Sequence, residues 1–148
     1  MAFNFTTVQK YSKYDIILIM KIYLDSCCYN RPYDDQNYLS ISLETQAKLL
    51  IQLLIKEKRL DLASSFILDY ENSCNPYSDR KIAVKNFLDT NVSDYIGSEK
   101  SEEVITKAKI VMAAGVKMKD SCHIVCAEMM KCDYLLSTDK RMLKKVIL

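Results

Sequence analysis

Apolar residues recur at helical spacing along one segment of the chain, which runs from Leu39 to about Lys56. Leucine or alanine occurs there at gaps of four, four, three and four residues, at Leu39, Leu43, Ala47, Leu50 and Leu54. Side chains with this spacing share one face of an α-helix. The pattern therefore predicts an amphipathic helix over residues 39–56.

Four short apolar runs bounded by polar residues predict β-strands at Lys21–Asp25, Leu62–Leu68, Val92–Ile96 and Asp133–Ser137. The segments between them predict helices over Ser78–Leu88, from Ser98 to about Ala114 with Gly115 as the stop, and over Lys119–Lys131. The polar segment 30–36 is expected to be a loop. Strands that alternate with helices indicate a parallel sheet covered on both faces. The predicted fold class is α/β, a three-layer sandwich with a small, mostly parallel sheet.

The length of 148 residues suits a single domain, and the hydrophobic content of 49% is ample for a core. Met20 stands directly before the first predicted strand. We therefore expect one domain over residues 20–148 and an N-terminal extension over residues 1–19, added by a misassigned start codon. A chain that starts at Met20 should fold and act like the full chain.

The apolar stretch Ile16–Met20 is far shorter than the roughly 20 residues that span a membrane. The charge pattern and cleavage site of a secretory signal are not recognisable. The six cysteines include no CxxC pair, which favours reduced thiols over a disulfide framework. These features predict a cytoplasmic protein without membrane contact.

Four acidic side chains follow predicted strands or open a helix, namely Asp25, Glu71, Asp120 and Asp139. Groups at the carboxyl ends of parallel strands meet at one edge of the sheet, so these acids are expected to share a small volume. Clustered carboxylates repel one another, and oxygen ligands suit hard cations such as Mg²⁺ or Mn²⁺. The set predicts a metal-dependent hydrolase. Each acid alone has an ordinary alternative as a helix cap or turn former.

Other chemistries fit the sequence less well. A catalytic triad would have to use the one histidine, His123, which is expected to be a hydrogen-bonded core residue. Two distant glycines exclude a glycine-rich phosphate loop, and the cysteines lack the tight grouping that zinc requires. A phosphoacceptor receiver would have a second acid beside Asp25, where this chain has Ser26-Cys27-Cys28.

The order and spacing of the four acids resemble the PIN domains, a nuclease family that includes the VapC-like toxins of bacterial toxin–antitoxin pairs. The resemblance covers roughly Met20 to the C-terminus and includes a Thr-x-Asp-like ending, here Ser137-Thr138-Asp139. It implies a Rossmann-like sheet and a divalent-metal endoribonuclease whose acidic cluster is the set of four acids. It also implies a cognate antitoxin and often a homodimer through helices. The apolar stripe over residues 39–54 is a candidate for that contact, although core packing explains it equally well.

Within such a site, the direct ligands of one or two ions are expected to be Asp25, Asp120 and Asp139. Glu71 is expected to position the attacking water or a second ion. Asp69 and Glu44 are alternatives to Glu71, and a salt bridge is the simpler expectation for Glu44. The side chains expected to hold the site in place by hydrogen bonds are Ser26, Asn30, Thr138 and Glu44.

The net charge is +2, from 21 Lys and Arg against 19 Asp and Glu, so a polyanion site must be a local patch. Between Lys117 and Lys145, seven basic residues outnumber four acidic ones. The side chains expected to contact an RNA backbone are Arg31, Lys117, Lys119, Lys140 and Arg141. An ordinary solvated surface explains these lysines equally well. Tyr29 and Tyr33 are candidates for stacking on an unpaired base, although tyrosines in loops usually pack against the protein instead.

A second class of function is a catalytically silent PIN-like module that keeps the fold and binds a protein or an RNA. The complete set of four acids weighs against it. The RNA target and the preferred metal depend on loop geometry, which sequence patterns do not specify.

Overall fold

The computed structural model describes residues 19–146, with a four-stranded sheet at its centre. The strands are β1 (Lys21–Leu24), β2 (Asp61–Ser65), β3 (Val92–Ile96) and β4 (Tyr134–Leu136). All pairings are parallel, and the strand order is β3-β2-β1-β4. In register, Ile22 of β1 lies opposite Leu62 of β2 and Tyr134 of β4. The strand order reverses between β1 and β4, which is where an open α/β sheet forms a crevice.

Seven helices occur within the described residues, namely α1 (Ser26–Asn30), α2 (Leu39–Lys56), α3 (Phe66–Ser73), α4 (Ser78–Asn91), α5 (Ser101–Ala113), α6 (Met118–Met129) and α7 (Lys140–Val146). Short 3₁₀ turns lie at Arg31–Tyr33 and Ser98–Lys100. Between residues 19 and 146, no helix has the length and apolar character needed to cross a membrane. The expected extension over residues 1–19 lies outside the described residues except for Ile19, so a start at Met20 stays a prediction.

Strand side chains alternate between two hydrophobic clusters, one on each face of the sheet. Ile22 and Leu24 lie in a cluster to which α1, α2, α3 and α4 contribute. Tyr23 and Ala63 lie in a second cluster, completed by α5 and α6. Helices therefore cover both faces of a parallel sheet, which confirms the α/β class and is compatible with a three-layer sandwich.

The predicted bounds of α2 and β3 are confirmed, and β1 ends one residue before its predicted end. The helix predicted from Ser98 begins as a 3₁₀ turn and continues as α5. Gly115, with a φ of +87°, follows that helix in the left-handed conformation that terminates many helices. Periodicity and glycine placement were therefore reliable signals for these elements.

The second predicted strand, over residues 62–68, is wrong in its C-terminal part. The strand ends at Ser65 and α3 begins at Phe66. Leu68 is 1% exposed, and a short buried apolar run has the same composition in a strand and in a helix. Glu71 consequently lies inside α3 instead of beyond a strand end. The loop predicted over 30–36 is also wrong in part, because Arg31–Tyr33 forms a 3₁₀ turn.

The leucine stripe of α2 faces outward over most of its length. Leu39, Leu43 and Leu50 are 75%, 55% and 57% exposed. The helix contacts the core chiefly through Ile55, which is 1% exposed, with Leu54 packed beside it. Core packing therefore explains Leu54 but not Leu39, Leu43 and Leu50, and the role of the stripe in a helix-mediated dimer stays a prediction.

Candidate acidic site at the carboxyl edge of the sheet

Asp25 directly follows β1 and is 4% exposed. Its backbone N–H donates to the carbonyl oxygen of Leu136 at 3.1 Å, which holds the ends of β1 and β4 side by side. Its Oδ1 accepts a hydrogen bond of 2.7 Å from the N–H of Cys27 and so caps α1. Asp25 therefore has a structural role at the same point where a metal ligand was predicted.

Asp139 follows β4 and caps α7. Its Oδ1 accepts hydrogen bonds from the N–H groups of Arg141 at 2.8 Å and Met142 at 3.3 Å. Partial burial favours the neutral carboxyl, but the two N–H donors outweigh it and lower the pKa of Asp139. The side chain is thus an ionised carboxylate held in one orientation beside the crevice.

Asp120 lies in the first turn of α6. Burial raises the pKa of Asp120, and the negative charges of Asp139 and Asp25 raise it further. The charges of Asp139 and Asp25 therefore reach Asp120. Within residues 19–146, one group of three potential metal ligands has its atoms within 4.8 Å of one another, namely Asp25, Cys27 and Cys28. The three aspartates therefore do not form a compact ligand set.

Glu71 is presented by α3, and its side chain is 16% exposed. Its Oε2 lies 2.7 Å from Nε2 of His123. Burial acts to raise the pKa of Glu71, but hydrogen bonds from His123 and Ser26 together lower it. Glu71 is therefore an ionised carboxylate that two donors keep in place.

His123 connects Glu71 to the core and is itself 2% exposed. Its Nδ1 lies 2.7 Å from the hydroxyl of Tyr23, which lies 2.6 Å from Oγ of Ser65. An ionised carboxylate only accepts hydrogen bonds, so Nε2 of His123 donates to Glu71; in the neutral imidazole, Nδ1 then accepts from Tyr23. The prediction of a hydrogen-bonded core histidine is confirmed.

The side chains expected to orient the carboxylates differ in what they contact. Ser26 acts on Glu71 through a hydrogen bond. Asn30 instead donates from Nδ2 to the carbonyl of Ser26 at 3.0 Å, and its Oδ1 accepts from Nδ2 of Asn75 at 3.1 Å. Oγ1 of Thr138 is buried and has no hydrogen-bond partner within the described range. Of the predicted trio, Ser26 is thus the residue that acts on a site carboxylate in the part of the chain described, by lowering the pKa of Glu71.

Glu44 pairs with Arg31, whose Nε lies 2.9 Å from Oε2. The N–H is not aligned for a hydrogen bond, so opposite charge and not hydrogen bonding holds this contact. Nη1 of Arg31 also donates to Asp34 at 2.8 Å. The salt bridge expected for Glu44 is confirmed. Arg31 has two acidic neighbours, and its contact with RNA stays a prediction.

Exposed basic side chains occur at the starts of α6 and α7, in the same parts of the chain as Asp120 and Asp139. The exposed members are Lys117, Lys119, Lys140 and Arg141. The charge of Lys117 acts to lower the pKa of both Asp120 and Asp139. A depression of about 220 Å³ beside Asp120 is lined by Lys117 and Arg141 among others. Positive charge therefore adjoins the acids where a phosphate backbone was expected.

The two tyrosines predicted to stack on a base have different environments. Tyr29 is 1% exposed and packs against Phe87, with ring centroids 6.2 Å apart. The stacking prediction is therefore wrong for Tyr29. Tyr33 is 44% exposed, and for that residue the prediction stands untested.

The thiols beside Asp25 were missed as potential ligands. Sγ of Cys27 accepts from the N–H of Thr138 at 3.1 Å. Hydrogen bonding between the neighbouring thiols lowers the pKa of Cys27 and, together with burial, raises the pKa of Cys28. With Asp25 they form a possible metal-binding group. Their position in the sequence could have identified them as potential ligands, because they lie in the first helical turn directly after a buried aspartate.

No protein-family model, curated protein or solved structure matches this chain. Its function is therefore inferred from the side chains themselves, and membership of the PIN family stays a hypothesis.

Proposed function

We propose that this protein is a divalent-metal-dependent endoribonuclease of the PIN type, which hydrolyses RNA phosphodiester bonds at the crevice between β1 and β4. The observation that carries this proposal is the placement of Asp25 and Asp139 just after the adjacent parallel strands β1 and β4. Asp120 lies near enough that their charges add to the effect of burial and raise its pKa. Mutually repelling carboxylates at the switch point of a parallel sheet are stabilised by a cation. Perturbed titratable groups in a crevice are typical of functional sites.

The carboxylate chemistry of the three aspartates suits a hard cation, although their oxygens do not all lie within 4.8 Å of one another and would have to move closer to hold one. Carboxylate oxygens are the preferred ligands of Mg²⁺ and Mn²⁺, and Asp25, Asp120 and Asp139 would hold the ion. When bound, it would supply positive charge for the cleaved phosphate and make a bound water more acidic. The thiols of Cys27 and Cys28 suit a softer metal, so metal preference is a direct test of which donors are used.

The protein's own residues would bind and orient the substrate. Lys117 and Arg141, which line the depression beside Asp120, would contact the RNA backbone. Glu71 is ionised and held by His123 and Ser26, so it can accept a hydrogen bond from the attacking water and orient it. Positive charge beside Asp120 and a fixed hydrogen-bond acceptor at Glu71 suit the binding of a phosphodiester and a water near the acids.

An antitoxin partner and a homodimer belong to the same proposal. The exposed side chains of Leu39, Leu43 and Leu50 on α2 form an apolar surface of the kind found at protein–protein contacts. All six cysteines carry free thiols, which suits a reducing cytoplasm. We place the protein there, as a toxin of the VapC-like type.

A catalytically silent PIN-like module that binds protein or RNA is the second candidate. It is favoured by the caps that Asp25 and Asp139 provide to α1 and α7, since these roles need no metal. The basic side chains beside them would still attract a polyanion.

Purified protein incubated with transfer RNA and single-stranded RNA distinguishes the two candidates. The nuclease cleaves in Mg²⁺ or Mn²⁺ and not in EDTA. Absence of cleavage in either metal, together with absence of metal binding by calorimetry, would contradict the nuclease and leave the silent module.

A further inference from the structure

A cleft of about 370 Å³ opens beside the acidic site, between α1, α3 and α4. Ser26 and Glu71 line one side of it, so the cleft is continuous with the region where Glu71 is held. Its volume falls within the range of about 300–1,000 Å³ that is usual for small-ligand pockets. Apart from Lys119, its other lining residues belong neither to the four acids nor to the group of exposed basic side chains beside them.

The cleft is lined by side-chain amides that have fixed orientations. Nδ2 of Asn75 donates to Oδ1 of Asn30 at 3.1 Å, while Oδ1 of Asn75 accepts from the N–H of Tyr77 at 3.0 Å. Nδ2 of Asn72 donates to the carbonyl of Lys81 at 3.0 Å. Each amide nitrogen has two N–H groups and each amide oxygen two lone pairs. These contacts therefore leave donors and acceptors for a polar ligand.

Tyr29 lines the cleft and is 1% exposed, and its hydroxyl has no hydrogen-bond partner among residues 19–146. The hydroxyl has almost no accessible surface, so a ligand in the cleft would meet the amides and Arg80 and not this group.

The guanidinium of Arg80 provides a flat, positively charged surface in the lining of the cleft. Its guanidinium carbon lies 4.0 Å from the ring centroid of Tyr77 and 4.6 Å from that of Tyr33. Within the described residues it has no carboxylate partner at ion-pair distance, so its N–H groups are available to an anion. Lys119 adds a second positive charge to the lining, near Glu71. Planar stacking surfaces, amides and two cations together suit a nucleotide.

We propose that this cleft binds one unpaired nucleotide of the RNA strand, next to the phosphodiester at the acidic site. The base lies against the amides of Asn72 and Asn75, and the phosphate lies at Arg80. This inference rests on the proposed function for its placement on the substrate. The cleft is thus where base preference would be set, since the basic patch at Lys117 and Arg141 contacts the backbone alone.

Binding without cleavage tests the cleft separately from the nuclease. ¹⁵N-labelled protein in EDTA is titrated with an unstructured single-stranded RNA hexamer of mixed sequence, and side-chain amide resonances are followed by NMR. We expect saturable shifts of the Asn72 and Asn75 side-chain signals, and affinity about tenfold weaker in Arg80→Ala. The matched control is Lys85→Ala on the same helix, because Lys85 is exposed and paired with Asp89. Tyr77→Phe should bind like the wild type and Tyr77→Ala should not.

Shifts confined to the neighbourhood of Lys117 and Arg141, or equal affinity of Arg80→Ala and Lys85→Ala, would overturn the inference. Neither result bears on the nuclease, because no metal is present. If the protein cleaves RNA, a cleavage-site preference in Arg80→Ala and Asn75→Ala identical to that of the wild type would also overturn it. The expected result is a changed preference and a raised KM with kcat retained.

Discussion

Nε2 of His123 lies 2.7 Å from Oε2 of Glu71, and this contact joins a buried core residue to a carboxylate of the candidate site. The imidazole is anchored on its other side by Tyr23, whose hydroxyl lies 2.7 Å from Nδ1. A side chain fixed at both ring nitrogens has little rotational freedom. Glu71 is therefore oriented by the core of the protein and not by solvent.

Replacement of His123 by Leu should destabilise the protein by about 2–4 kcal/mol, because Tyr23 and Glu71 each lose a buried hydrogen-bond partner. Urea unfolding at neutral pH measures this difference. Glu71→Gln is the matched variant, since its side-chain oxygen still accepts from Nε2, and it should cost less than half as much. Equal losses in the two variants would show that charge and not the hydrogen bond matters at this contact.

Two substitutions of Asp139 can distinguish its structural role as a helix cap from a chemical role in catalysis. Asp139→Ala should lose about 0.5–2 kcal/mol, because the cap on α7 disappears, whereas Asp139→Asn should keep the cap and nearly all of the stability. If the carboxylate serves catalysis, both variants lose RNA cleavage. Unfolding curves and cleavage rates for the pair provide the comparison, and full activity in Asp139→Asn would restrict Asp139 to capping.

The pKa of Glu71 predicts how stability changes in acid. Burial opposes ionisation of Glu71, but the combined effect of His123 and Ser26 is larger. The pKa of Glu71 in the folded protein therefore lies below the ordinary value of 4.5. The ionised carboxylate therefore contributes stability that is present above about pH 4.5 and is lost as pH falls through the folded pKa. Between about pH 5 and about pH 3, the wild type should lose more unfolding free energy than Glu71→Gln. Parallel curves for the two proteins would contradict this assignment.

The pKa of Asp120 is shifted upward, and this predicts that a neutral residue at this position stabilises the protein. Its folded pKa is raised, so the ionised form opposes folding at neutral pH, and Asp120→Asn should raise the melting temperature by about 1–3 °C without metal. Added Mn²⁺ should stabilise the wild type through binding to the folded state and should have little effect on the variant. Thermal melts with Mn²⁺ and with EDTA measure both effects. A metal-induced shift of the same size in the two proteins would place the ion elsewhere, with the Asp25, Cys27 and Cys28 group as the alternative.

Much of the fold could be predicted because periodicity reports local structure. The spacing of apolar residues located α2, and the run Val92–Ile96 located β3. The same signal failed at Phe66, where a buried apolar run continues from strand into helix without a change in composition. Periodicity also does not say which face of a helix meets the core, and the leucines of α2 lie mostly outside it.

The candidate site was less accessible to prediction. Asp25 and Asp139 could be placed at one edge of the sheet because strand ends converge in a parallel sheet, whatever the lengths of the connections. Asp120 opens a helix, so its position depends on how α6 packs. The contact between Glu71 and His123 joins residues 52 positions apart and depends on how α3 packs against α6. The amides and arginine of the cleft lie near the α3–α4 connection, where no motif distinguishes them from ordinary polar surface. Tertiary packing brings these side chains together, so no local sequence pattern could predict these contacts.

RNA cleavage by Asp120→Asn tests the central claim most directly, because Asp120 does not cap α6 and its loss should leave the fold intact. The wild type, Asp120→Asn and the control Glu128→Gln, which alters an exposed acid on the same helix, are assayed on single-stranded RNA in Mn²⁺ and in EDTA. We predict cleavage by the wild type and Glu128→Gln in Mn²⁺ alone, and a loss of at least about 100-fold in Asp120→Asn. Undiminished, metal-dependent cleavage by Asp120→Asn would contradict the acidic site as the catalytic centre.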